Sequence, residues 1–188
     1  MLWLSNPIQP MSRRRRLNAA GLWSLIRYRW RDNWTLAQVY WMSHESDHAI
    51  EQAHKTLEIN PANALAVGTI AHAYQEAGNH KKEVEQRIKL EQLKGDQARA
   101  TQLENIFAKA GYAAFLREAA RSEEAKRDYD EAAGDYAVLG DKSAAFASLE
   151  KAFPDRIELL LLKVDPRLDN LRSDPRYADL LRRMGLPQ

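Results

Sequence analysis

Residues 34–61 read WTLAQVYWMSHESDHAIEQAHKTLEINP. Within them Leu36 and Ala37 precede Tyr40, and Ala49 and Ala53 lie four apart ahead of Asn60-Pro61. Those intervals put each set on one face of a helix. The same beat returns 34 residues later as Ile70, Ala71 and Tyr74, with Val67 ahead of them and Gly95 in the place of Pro61. A small side chain beside a large one at a fixed period is how helix–turn–helix units stack. The alanine lets two backbones approach, and the tyrosine fills the gap between them. The chain therefore reads as all-α, a short array of helix pairs.

The first pair is expected over about 32–43 and 47–58, with Ser46 or Asp47 capping the second helix. Asn60-Pro61 ends it, because proline restricts the residue before it and cannot continue the ladder. The second pair is expected over about 63–77 and 80–94, parted by Gly78-Asn79 where a left-handed residue is needed. Glu83 and Arg87 occupy positions where small and aromatic residues would continue the pattern, so this unit is degenerate in its second half. Two further helical stretches, 97–110 and 112–123, are split by Gly111. A third recognisable unit opens near Lys126 and carries Ala132-Ala133, Tyr136, Gly140, Ala145 and Leu149 before Pro154. Asp165-Pro166 and Asp174-Pro175 are both cap-then-proline helix starts. Tyr177, Leu180, Leu181 and Met184 then make an amphipathic stripe closed by Gly185, read as a helix capping the last unit.

The 188 residues are 45% hydrophobic and 29% charged, stock for a soluble helical domain. There is no cysteine, which excludes disulfides, thiolate metal sites and cysteine catalysis. Residues 1–31 hold seven arginines and no acid, leaving 21 basic against 26 acidic residues over 32–188, a net charge of −5. No apolar run is long enough to span a bilayer. The expected layout is a basic arm over 1–30, helical repeats over 31–163 and a capping segment over 164–188. Arg13–Arg16 before the uncharged stretch Leu17–Ile26 has a signal-peptide flavour, but charge resumes at Arg27 and no small-residue cleavage site follows. An amphipathic helix with Leu22, Leu25, Ile26 and Trp30 on one face, capping the first repeat, fits better. A basic tether to membrane or nucleic acid is the other reading of the arm.

The repeat pattern resembles the tetratricopeptide repeat (TPR) family through Leu36-Ala37, Tyr40, Ala49 and Pro61, then Ile70-Ala71, Tyr74 and Gly78. It departs from the family at Asn33, where an aromatic residue is usual, and at His44, where glycine is common. The resemblance implies a right-handed superhelix of helix pairs with a concave face made by the first helix of each pair. Projected onto it, Trp34, Gln38 and Trp41 face the groove from unit one, and Leu65, His72 and Gln75 from unit two. The family's clamp for peptide carboxylates needs Lys and Asn at such positions, and this chain has neither there. A narrower likeness covers Gly140-Asp141, Ala145-Phe146, Leu149–Ala152, Asp165–Leu168 and Leu171–Tyr177. It is similar to the C-terminal ends of bacterial regulators that join a winged-helix DNA-binding domain or a serine/threonine kinase to a TPR array. Residues 1–30 are too few for either effector, so a stand-alone relative or a detached sensory end is expected.

His44-Glu45-Ser46-Asp47-His48 spells the zinc-protease signature H-E-x-x-H. That chemistry needs both histidines on one face of a continuous helix, and the repeat register puts a turn between them. Gly68, Gly78 and Gly95 match no phosphate-binding spacing. The leading expectation is a non-catalytic module that binds a protein or peptide in the concave face, without cofactor or metal and without specific nucleic-acid recognition. Cytoplasm is the expected compartment, or periplasm for a piece of a membrane-tethered regulator. The rivals are a zinc hydrolase through His44, Glu45 and His48, and the basic-arm tether.

Overall fold

The computed structural model describes residues 19–153 and 161–185, with side chains from Arg31 onward. The basic run Arg13–Arg16 lies outside them. The described residues are helical, with no strand among them. In order they form α1 (Ala19–Met42), α2 (Ser46–Ile59), α3 (Ala64–Glu76), α4 (His80–Leu93), α5 (Gln97–Lys126), α6 (Tyr129–Val138), α7 (Lys142–Ala152), a 3₁₀ segment (Pro166–Leu171) and α8 (Pro175–Met184). Each of α1 to α6 packs on the next helix in sequence.

Two boundaries differ from the sequence reading. Helix α1 already runs from Ala19, the first described residue, through residue 32, with no proline between them to interrupt it. Glu45, not Ser46 or Asp47, is the N-cap of α2, and it makes no side-chain cap. The Ser46 hydroxyl is spent on Glu76 instead, donating to its Oε2 at 3.0 Å. As the sequence indicates, the stretches 97–110 and 112–123 of α5 are separate helical runs split at Gly111, where the backbone leaves the helix with φ 76° and ψ −174°. Only glycine visits that region without strain.

The first two pairs meet over Ala37, Ala53, Ala66 and Ile70, with Trp34 and Tyr74 packed against them. The repeated alanines have no exposed surface, as close helix approach demands. Helix α6 is the central element: every residue from Ala132 to Ala137 is buried. Its small side chains admit neighbours on all sides. One side receives α7, the 3₁₀ segment and α8 through Phe146, Leu149, Leu168, Leu171, Tyr177 and Leu180. Both aspartates ahead of the tail prolines cap as the sequence indicates, accepting from the backbone N–H of Arg167 and Arg176. Tyr177 Oη donates to the Leu162 carbonyl at 2.8 Å and ties α8 down.

Candidate functional site

The other side of α6 faces α3 and α4 through buried charge. Glu83 and Arg87 share a face of α4 at i and i+4. Arg87 Nε donates to Glu83 at 3.0 Å, and its two terminal nitrogens grip Asp135 of α6 at 3.0 and 2.6 Å. Glu83 has no exposed surface and also accepts from Gln75 Nε2 at 3.0 Å and Tyr112 Oη at 2.6 Å. The two positions that break the repeat pattern are therefore a bidentate clamp from α4 onto α6.

A second clamp comes from the tail. Arg167 donates through Nη2 to Asp165 at 2.8 Å and through Nη1 to Glu131 of α6 at 2.7 Å. His72 Nε2 lies 2.9 Å from the other Glu131 oxygen. The guanidinium sits 5.6 Å from the Trp41 ring centre, so the 3₁₀ segment reaches back to α1 and α3. His44 Nε2 and Asp169 Oδ2, 3.6 Å apart, add a second link between the tail and the first pair. The two clamps hold four carboxylates, Glu83, Glu131, Asp135 and Asp165, against two guanidiniums. Burial pushes the Glu83 and Asp135 carboxyls up, with Arg87 opposing that rise. Burial also disfavours a charged Glu131, but Arg167, then His72 and Arg87, outweigh it and hold that carboxyl well below the usual range. Paired charge in this setting fixes one arrangement of helices.

Between α1, α3, α4, α5 and α6 lies a groove of about 290 Å³. Leu65, Gly68 and Thr69 form one wall, Phe115 and Ala119 another. The cations in its lining are engaged: Lys94 with Glu91 at 2.9 Å, Arg99 with Glu118 at 2.8 Å, and Arg87 in its clamp. Asp128, at the mouth, has no cation among the described residues within ion-pair distance. It is the N-cap of α6, yet its side chain makes no cap bond, unlike Asn63, Asn79, Asp96 and Asp141. Its carboxyl is raised to about 7, first by loss of hydration, then by a shared hydrogen bond with Asp130 and the charges of Asp130, Glu131 and Glu123. A neighbouring cavity of about 190 Å³ shares Gln38, His72 and Glu131 with the groove. Trp41, Leu149, Leu161 and Leu168 line it.

The structure redistributes the six residues the sequence assigned to a groove. Leu65 is 53% exposed and lines the groove, and Gln38 and His72 line both cavities. Trp41 is 4% exposed, packs with Ala49 and Ala73, and lines the smaller cavity. Trp34 is half-buried against the alanine cluster of the first two pairs. Gln75 is 5% exposed, because Glu83 requires its amide donor. Sequence reasoning missed Asp135, Glu131 and Arg167, whose partners on other helices lie 36 to 95 residues away. The available signal was a charged Glu83 and Arg87 at positions that the repeat interval reserves for core.

The H-E-x-x-H segment straddles the turn between α1 and α2. His44 stands outside both helices with φ 61°, and its Nδ1 lies 2.7 Å from Glu76. His48 is in the first turn of α2, with Nδ1 2.9 Å from Glu45. Among the described residues no cluster of His, Asp and Glu is arranged to hold a metal ion. None of the helices among them is long and apolar enough to cross a membrane. Comparison of the chain with protein-family models, with curated proteins and with solved structures finds no match.

Proposed function

We propose that the chain is a non-catalytic protein-interaction module whose helix pairs form a TPR-like array and whose groove takes a peptide or helix. The observation that carries this reading is the division of labour among its polar groups. Arg87, Arg167, Glu83 and Asp135 are consumed in holding helices together. The groove beside them combines an exposed Leu65 with a phenylalanine wall and a mouth of carboxylates. Exposed apolar surface at Leu65 set among polar and charged side chains suits an amphipathic peptide or helix. The module fits the sensory or regulatory part of a signalling or transcriptional regulator, acting in the cytoplasm.

Gly68 provides the test. It lines the groove from within α3, and a Cβ placed on it meets nothing within 4 Å. Gly68→Trp should fill the groove from a helical position without disturbing the backbone, and the helix should gain from loss of glycine. Peptides selected on the full chain from a random displayed library should lose roughly tenfold or more in affinity for Gly68→Trp. Selection of no peptide, or equal binding to both proteins, would overturn the reading.

A further inference from the structure

Helix α1 is longer than either helix it packs on. It has 24 residues, and α2, joined to it by the short turn 43–45, has 14. The two run antiparallel, so at ~1.5 Å per residue α1 extends roughly 15 Å past the end of α2. Helix α3, its other packing partner, begins at Ala64, soon after α2 ends at Ile59. It starts level with that end and runs the same way as α1, away from the overhang. Residues 19–29 therefore stand beyond the helices that hold the rest of α1.

The face carried by the overhang is set by the packed part of the helix. Ala37, Tyr40 and Trp41 all pack against the first two pairs. About eighteen residues make five turns, so Ala19, Leu22 and Trp23 fall in register with Ala37, Tyr40 and Trp41. Ile26 falls on the same stripe, between Leu22 and Trp23. The stripe that packs at one end of α1 thus continues, equally apolar, at the end where no helix receives it. Arg27 and Arg29 fall on its two flanks, and Arg31, one turn after Arg27, is exposed.

Charge decides what covers this face. Residues 1–31 carry seven arginines and no acid, whereas 32–188 have a net charge of −5. A second copy pairing along the stripe would bring both sets of arginines together with nothing to offset them. Nucleic acid would answer the arginines and leave the apolar stripe uncovered. An anionic lipid surface answers both, because an interfacial helix sets tryptophan and aliphatic residues at the headgroup boundary with arginines beside them. Such a helix lies on the bilayer and needs no spanning length, which α1 does not have. We propose that the first turns of α1 are a peripheral anchor for anionic membranes. The face of Leu22, Trp23 and Ile26 enters the headgroup layer, and Arg27 and Arg29 neutralise lipid phosphates. The acidic body is repelled by the same surface, so the helix pairs and their groove stay in water. The anchor does not depend on the groove being a peptide site.

Co-sedimentation of the full chain with vesicles tests it. One set is phosphatidylcholine alone, and in the other phosphatidylserine replaces part of it. Two double variants accompany the parent: Trp23→Gln with Ile26→Gln, and Arg27→Gln with Arg29→Gln. The parent should sediment with the anionic vesicles only, less so with added salt, and each variant should bind them roughly tenfold more weakly. Both variants should melt with the parent, since the overhang supports no core. Equal sedimentation with both vesicle types, or with neither, would overturn the anchor. So would charge-dependent binding that the Trp23, Ile26 variant keeps; tight binding of duplex DNA by that variant would then assign the arginines to nucleic acid. A parent that is dimeric by light scattering without lipid, and monomeric in the Trp23, Ile26 variant, would give the stripe to a second copy. A variant that melts several degrees lower would place the stripe in the folded body and end the proposal.

Discussion

A Cβ on residue 134 would stand 2.6 Å from Cζ of Arg167 and 2.7 Å from its Nε. Gly134 is inside α6 with ordinary helical backbone, so its lack of a side chain serves the guanidinium, not the helix. Alanine is favoured over glycine in a helix by about 1 kcal/mol. At this position the sign should reverse. Gly134→Ala should cost about 1–3 kcal/mol, because Arg167 must leave Glu131, Asp165 or both. Urea unfolding measures it, and in an Arg167→Ala background the same change should become neutral or stabilising.

Arg87 holds Glu83 and Asp135, neither of which has exposed surface. Arg87→Met removes the only guanidinium donating to either carboxylate among the described residues and should cost about 3–5 kcal/mol. Converting the trio together, with Glu83→Gln, Arg87→Met and Asp135→Asn, should recover much of that loss. If the triple variant is no more stable than Arg87→Met by chemical denaturation, the cost lies in packing and not in unbalanced charge.

Trp41 is buried among Ala49 and Ala73 beneath Arg167. Trp41→Ala should therefore lower folding stability by about 3–5 kcal/mol. A variant that unfolds at the parental denaturant concentration would show that the ring contributes little to the folded core.

Asp128 gives stability a pH dependence of defined sign. Its folded carboxyl titrates at about 7, against an ordinary value of 3.8. The folded state holds a proton that the unfolded chain has lost, so this group weakens folding as pH rises through 7. Asp128→Asn should raise the melting temperature at about pH 8, and the gain should shrink on acidification and vanish near pH 4. A constant difference across that range would assign the gain to something other than the carboxyl.

Helices, turns and the alanine faces were legible from the sequence because each depends on neighbours three, four or 34 residues away. Gly78, Gly140 and Gly185 take the left-handed turns their positions call for, and His44 takes one where glycine would be easier. The groove was legible only at Leu65, Gln38 and His72. Trp41 has the spacing of a surface aromatic, but Ala49, Ala73 and His72 pack against it, and Arg167, from a segment 126 positions further on, lies over its ring. Glu83 and Arg87 read as a lapse in the repeat because their meaning depends on Asp135. Periodicity reports what a residue owes to its own helix. It carries no information about a partner brought in by the path of the chain between.

The contact of Arg167 with Glu131 and Trp41 also bears on how such a chain could change over time. An open stack of helix pairs can gain a unit by duplication, since each pair meets only those beside it. Here the last segment is fastened to the first pair, and the fit between them depends on how many helices lie in the path. An inserted pair between α4 and α5 would carry residues 165–171 away from His44, Trp41 and His72. The number of helix pairs between them is thereby constrained, since these contacts fit only the present path of the chain.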